Sequence, residues 1–509
     1  MKKYICLLLL ITILSTGLIS CSEDKTNSEL KDNSSISSDE INQSEEESKG
    51  PDYHVEDYGE REFIISTTWG EDNFISEFMY NELIEGKYEF MSDAVNEAIA
   101  ERNNKVEKAL NIKIVEKHKK SGRKGGEYLT YVRNQIMNGT EEAHIISPSL
   151  YDLGVLAAEG MLYNLKELEN IKIDSSRWDQ KFNETMTVND KLYFTLGDVG
   201  IYNKNATPMV AFNKKLADIY IKDDLYQIVK DGKWTFDKAY EYAKLLSTDT
   251  NNDNIIDYFD NVGWAGQNDD GWNFFFASGE KIASTDATGK IALTMNTERA
   301  VNVIEKMNRM FHDDDHYISA NDYFAAPYSF AFPSYDATGA AFIEGRILFF
   351  SDNLSFIHRF EGMPDDFGIL PVPKYDDTQD EYYSLINPWT GNAFAIPNIL
   401  TTDDAEFAAA CFDAMAYYSV DSVAVEYIDR TLKYQKISDE GSIDMLNIIL
   451  KSRGCDFGII YELGSSQNAS LPTLLHRLIE NPTESFSSLY ESMEPVAKSD
   501  LEKVLESYK

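Results

Sequence analysis

Phe63-Ile64-Ile65-Ser66-Thr67-Thr68-Trp69-Gly70 starts apolar and turns polar, and it reads as a strand emptying into a loop. Behind it, Asp93 to Leu110 repeats apolar residues at helical spacing, and Ile112-Lys113-Ile114-Val115 predicts a second strand. Glu127 to Met137 predicts a helix stopped near Asn138-Gly139. Ala143-His144-Ile145-Ile146-Ser147 reads as a third strand, and Tyr151 to Glu159 as a helix ending at Gly160. Strand and helix alternating in this way predict an α/β lobe with a largely parallel sheet.

The same reading continues outward. Thr235 in Trp234-Thr235-Phe236-Asp237 caps a helix expected to run to about Ser247, with Asp237 in its favourable first turn. Thr297 to His312 and Asp403 to Ser419 are amphipathic helices, and Pro371, Pro373, Pro388 and Pro397 punctuate the strands between them. Leu471 to Tyr508 is helical with a break near Asn481-Pro482.

Composition bounds the function. The 509 residues are 43% hydrophobic and 26% charged, enough for a sizeable core. Lys and Arg total 47 against 86 Asp and Glu, a formal charge of −39, which argues against nucleic acid because phosphate neutralisation needs clustered basic side chains. Lys113 to Lys124 is the one basic run; it reads as a solvated face, with an anionic ligand such as a uronate as the alternative.

The N-terminus carries an address. Lys2 and Lys3 precede a short apolar run, Ile5 to Leu14, which suits a signal peptide over residues 1–20. Leu18-Ile19-Ser20-Cys21 resembles a lipobox, so Cys21 is expected to be diacylated and to anchor the chain at the outer face of the cell membrane. Residues 21–60 read as an acidic, disordered tether, with 13 Asp/Glu and 3 Lys after Cys21 and few large apolar residues. Outside the signal and the lipobox, two cysteines are left. Cys411 lies in an apolar helical stretch and reads as a buried free thiol, while pairing with Cys455 stays open.

Enzyme motifs are sparse: there is no G-x-S-x-G, phosphate-binding glycine loop, G-x-G-x-x-G or H-E-x-x-H. Carboxylate pairs for glycoside hydrolysis stay open among so many acids. The sharpest local motif is Asp249-Thr250-Asn251-Asn252-Asp253-Asn254-Ile255-Ile256-Asp257-Tyr258-Phe259-Asp260. Asp249, Asn251, Asp253, Asp257 and Asp260, with the carbonyl of Ile255, present oxygen ligands at EF-hand-like spacing for calcium. Asn254 stands in for the usual glycine, and Asp260 for the longer bidentate glutamate.

Several segments together resemble family 1 extracellular solute-binding proteins of ABC importers, the maltose-binding-protein-like group. Asn189-Asp190-Lys191-Leu192-Tyr193 followed by Met209 to Leu216 looks like the family's NGKLYG…LxYNKDL run. Ala340-Ala341-Phe342-Ile343-Glu344-Gly345-Arg346 is similar to AFxxGKAAM, Asp366 to Pro373 to YGVxPxPK, and Gly391 to Pro397 to the strand that follows. Asp439-Glu440-Gly441-Ser442 to Leu446 resembles a late segment of some members. The run to Phe350 departs from the family by ending Ile-Leu-Phe-Phe, so sugar contacts of relatives do not transfer directly.

The resemblance implies a two-lobed, type II periplasmic-binding-protein-like α/β fold with a hinge between lobes. The first lobe would take 61–207 and 390–440, the second 208–389 and 441–509. It also implies a monomer that captures a sugar or oligosaccharide by hinge closure and presents it to ABC permease subunits, and it makes the calcium loop a structural site.

Carbohydrate sites pair aromatic rings with carboxylate and amide groups, because a sugar has apolar C–H faces and many hydroxyls. Candidates placed on cleft loops are Trp69 and Glu71; Ser147, Ser149 and Tyr151; Asp198 and Tyr202; Trp264, Asp270 and Trp272; Asp352 and Asn353; and Trp389 with Asn392. The alternatives are the same fold with a peptide, uronate or signalling ligand, and a surface glycan-cleaving lipoprotein.

Overall fold

A computed structural model of the chain describes residues 56–69, 75–81, 91–122, 124–140, 142–286, 290–313, 315–323, 335–360, 362–428, 432, 439–466 and 469–509. The signal peptide, Cys21, the tether up to residue 55 and Glu71 lie outside them. Ordered structure begins before residue 61: Tyr58 packs edge-on against Phe407, and a left-handed turn at Gly59 and Glu60 feeds the first strand.

β1 (Arg61–Trp69), α1 (Asp93–Leu110), β2 (Ile112–Lys120), α2 (Glu127–Asn138), β3 (Ile145–Ser147) and α3 (Leu150–Ala158) follow in the expected order. The strands form a parallel sheet, β2-β1-β3. Local chemistry sets the helix ends. Ser92 and Ser149 cap α1 and α3 by accepting from Val95 and Asp152 N–H, and Gly139 closes α2 at φ 68°. Each such side-chain cap contributes about 1 kcal/mol. β2 runs on through the basic run to Lys120, with Ile112 and Ile114 inward and Lys113, Lys117 and Lys120 exposed. Charge along this outer strand discourages pairing with another chain.

A second layer contains β4 (Pro208–Asn213), α4 (Phe236–Ala243), β5 (Ser247–Thr248), β6 (Asn261–Gly266), α5 (Asp270–Ala277), α6 (Glu298–His312), β7 (Tyr317–Ser319), β8 (Ile347–Asn353) and β9 (Phe367–Leu370). Its sheet runs β9-β4-β8-β6-β5, with β7 also on β6. β6 is parallel to β7 and β8, so these strands end on the same side. α4 stops at Ala243, short of the expected Ser247, because Ser247 and Thr248 are taken into the sheet by Val262 and Asn261.

Three chain segments pass side by side between the layers. Asn387 N–H donates to Ala206 O at 2.9 Å, and Ser384 and Leu385 pair with Arg453 and Gly454. Past this crossing the chain rejoins the first sheet, where Ala395 bridges Ile146 and Phe394 bridges Thr195.

α7 (Thr402–Val420) packs on α1, and α8 (Leu471–Glu480) on α5. α9 (Phe486–Ser507) packs on α8 and also on α3, and Tyr193 OH donates to Ser507 O, so the C-terminal helices hold both layers. Cys411 and Cys455 are both buried free thiols. Among the described residues no helix is long and apolar enough to cross a membrane.

Candidate functional site

The ends of β6 and β8 bring three acids together. Asp269 and Asp270 follow β6, and Asp352 is the penultimate residue of β8. Asp269 Oδ2 accepts from Asn387 Nδ2 at 2.9 Å, and its Oδ1 lies 3.3 Å from Nε2 of His476 on α8. Asp270 Oδ2 accepts from Ser351 Oγ at 2.7 Å and from Tyr317 OH at 3.2 Å. Asp352 accepts from the Asn353 N–H at 2.6 Å. Burial pushes Asp269 and Asp352 up to about 7 and Asp270 to about 8, and the charge of Asp269 raises both of the others further.

The first layer meets this cluster through the loops after β2 and β3. Lys124 Nζ sits 4.6 Å over the ring of Tyr151, in the first turn of α3, and pairs with Glu462. Burial raises the Tyr151 hydroxyl well above its ordinary value, and the charges of Glu462 and Asp269 add to the shift. His476 is held down at about 4, by burial first and then by Lys124, so it is neutral at physiological pH. Its ring packs edge-on against Trp272 at 4.3 Å.

One amide ties Asp269 to the backbone of an exposed tryptophan. The Asn387 carbonyl accepts the Trp389 N–H at 2.9 Å and the Thr390 N–H at 3.3 Å, while its amide nitrogen serves Asp269. Trp389 is 47% exposed, a flat apolar surface on the loop that Asn387 holds.

Of the sequence candidates, Tyr151, Asp270, Trp272, Asp352 and Trp389 converge here. Trp264 does not: it is 0% exposed between Phe274 and Phe349, and it reaches the site only through its Nε1–H bond to Ser351 Oγ at 3.1 Å. Trp69 stacks on Tyr202 at 5.0 Å at the end of β1, and Tyr202 OH donates to Ile75 O. Ser147 is buried inside β3, and Ser149 bridges Asn392, which is also buried. Asp198 is the ion-pair partner of the buried Lys204 at 3.1 Å. Asn353 is buried opposite Pro208 in the β8–β4 register.

Asp269, Asn387, Tyr317, Ser351, Glu462 and His476 were not foreseen, and Lys124 leaves the solvated basic run to join them. Adjacency to Asp270 and Trp389 is a usable signal for Asp269 and Asn387. Glu462 and His476 carry none.

The loop from Asp249 to Asp260 curls as its composition suggests, with Asn252 and Asn254 left-handed at φ 63° and 65°. Asp249 takes the N–H groups of Asn252 and Asn254, and Asn251, Asp253 and Asp257 each take the N–H two residues on. The buried Asp260 takes those of Thr250 and Asp257. The donor chemistry suits a hard cation. Among the described residues, however, no three His, Cys, Asp or Glu side chains are gathered as a metal group.

Two α/β layers, joined by crossing strands and meeting at strand C-termini, form the type II periplasmic-binding-protein fold that the sequence resemblance implied. The solved structure of a cyclo/maltodextrin-binding protein complexed with maltotetraose shares this fold, with TM-score 0.50 and 12% identity over 88% of this chain and 96% of its own. That of M. tuberculosis UspC shares it with TM-score 0.51 and 13% identity over 86% of this chain and 100% of its own. No protein-family model and no curated protein matches the chain.

Proposed function

We propose that the chain is a solute-binding protein of an ABC importer, capturing a sugar or oligosaccharide between its layers by hinge closure. The observation that carries this reading is the exposed Trp389 on a loop whose backbone is held by Asn387, the same residue that donates to Asp269 at the strand ends. An indole face covers sugar C–H groups, and carboxylate and amide groups take the hydroxyls. The crossing strands are where closure would bend. No covalent step is needed. Diacylated Cys21 would hold the protein outside the cell, within reach of permease subunits.

A thermal-shift screen of the purified protein against saccharides, uronates and peptides tests this. At least one saccharide is expected to stabilise it without being hydrolysed. Trp389→Ala is expected to weaken that binding by about 1.5–3 kcal/mol, roughly ten- to hundredfold. A screen in which only peptides or uronates bind refutes the sugar assignment, and turnover of a bound oligosaccharide favours the glycan-cleaving alternative.

Calcium at the Asp249–Asp260 loop is proposed as structural. Burial, with the charges of Asp260 and Asp253 adding, raises the Asp257 carboxyl, a strain that a divalent cation would relieve. The Tm is expected to rise in calcium relative to chelator; identical values would remove the ion from the account.

A further inference from the structure

The charges at the interface do not balance. Asp269, Asp270, Asp352 and Glu462 face Lys124 and His476; Lys124 is engaged by Glu462, and His476 is held neutral. Among the described residues, no Lys or Arg lies within ion-pair distance of the three aspartates, and their one such neighbour is His476 beside Asp269. A second, independent feature sits in the same cluster. Trp272, 4% exposed and packed on His476, has an indole N–H with no acceptor among the described residues. The cluster thus presents carboxylates lacking a cation and, on Trp272, a donor lacking an acceptor.

Building on the saccharide reading above, we propose that the solute is a saccharide bearing a free amino group, its ammonium held at Asp269 and Asp352. Closing the layers over a neutral sugar would leave these carboxylates desolvated without a counter-charge, a costly state unless they stay protonated. A uronate would add another negative charge. An ammonium makes charge-assisted hydrogen bonds to both acids. The sugar hydroxyls supply acceptors of the kind Trp272 lacks. Both acids titrate near 7 in the free protein, so binding the cation releases protons.

Isothermal titration of the full chain with the glucosamine trimer, its N-acetylated counterpart, maltotriose and spermidine separates the outcomes. The amino trimer is expected to bind at least tenfold more tightly than the N-acetylated one. Asp352→Asn should erase that preference, with Asp269→Asn as the second variant, since its amide oxygen still accepts from Asn387. Equal or tighter binding of the N-acetylated trimer or maltotriose overturns the amino-sugar proposal and leaves the saccharide reading intact. Binding of spermidine alone overturns both, and binding of none of the four overturns the amino-sugar proposal.

Discussion

Gly266→Ala is expected to destabilise the protein by about 3–5 kcal/mol and to abolish the saccharide capture proposed for it. Gly266 ends β6, and a Cβ placed there would lie 1.9 Å from Asp270 Oδ2 and 2.5 Å from Ser351 Oγ. Those two atoms are hydrogen-bonded to each other at 2.7 Å, and both residues are buried. A methyl group fits only if Asp270 moves, which strands the hydroxyls of Ser351 and Tyr317. A buried polar group that loses its partner costs about 1–3 kcal/mol. Asp270 opens α5, so its displacement also carries Asp269 away from Asn387. Urea unfolding measures the first effect and calorimetry the second; an unchanged unfolding midpoint would contradict the argument.

Stability is expected to fall by about 3 kcal/mol between pH 6.5 and 9. Asp270 titrates at about 8 in the folded protein, against about 3.9 in an unfolded chain, so over this range only the folded state retains the proton. Its contribution is complete below the unfolded value and is lost as the pH rises through the folded one. Asp269 and Asp352, at about 7, act in the same direction with smaller effects. Asp270 faces Ser351, Tyr317, the Gln267 backbone and Asp269, none of which supplies a positive charge. Acid opposes this trend, because His144 and His476, both held at about 4, charge more readily once unfolded. Asp270→Asn keeps an acceptor for both hydroxyls and cannot ionise, so its stability profile should be markedly flatter. A wild-type profile level from pH 6.5 to 9 would refute the burial account of these acids.

Much of the architecture was legible because helix and strand signals are local. α1 spans the predicted residues, Thr235 and Thr297 cap the helices they precede, and the C-terminal pair breaks at Asn481-Pro482. The placement of Asp270, Asp352 and Trp389 where strands give way to loops was legible for the same reason. Trp264 and Trp389 show the limit: both are tryptophans near strands, yet one is sealed in the core and the other is 47% exposed. Pro388 beside Trp389 marks a turn, but exposure itself depends on what packs opposite, which neither local stretch carries.

By itself, then, the sequence determined the order of strands and helices, the α/β class and the fold the chain resembles, all consequences of periodicity, capping and motif order. Only the tertiary structure decided which side chains meet. Asn387 reaches Asp269 across 118 residues, and His476 arrives from a helix near the C-terminus. The three aspartates take their shared, uncompensated character from meeting where β6 and β8 end, Asp270 buried and Asp269 and Asp352 half-buried. Burial and electrostatic coupling are properties of that assembled interface, and no local stretch of sequence carries them.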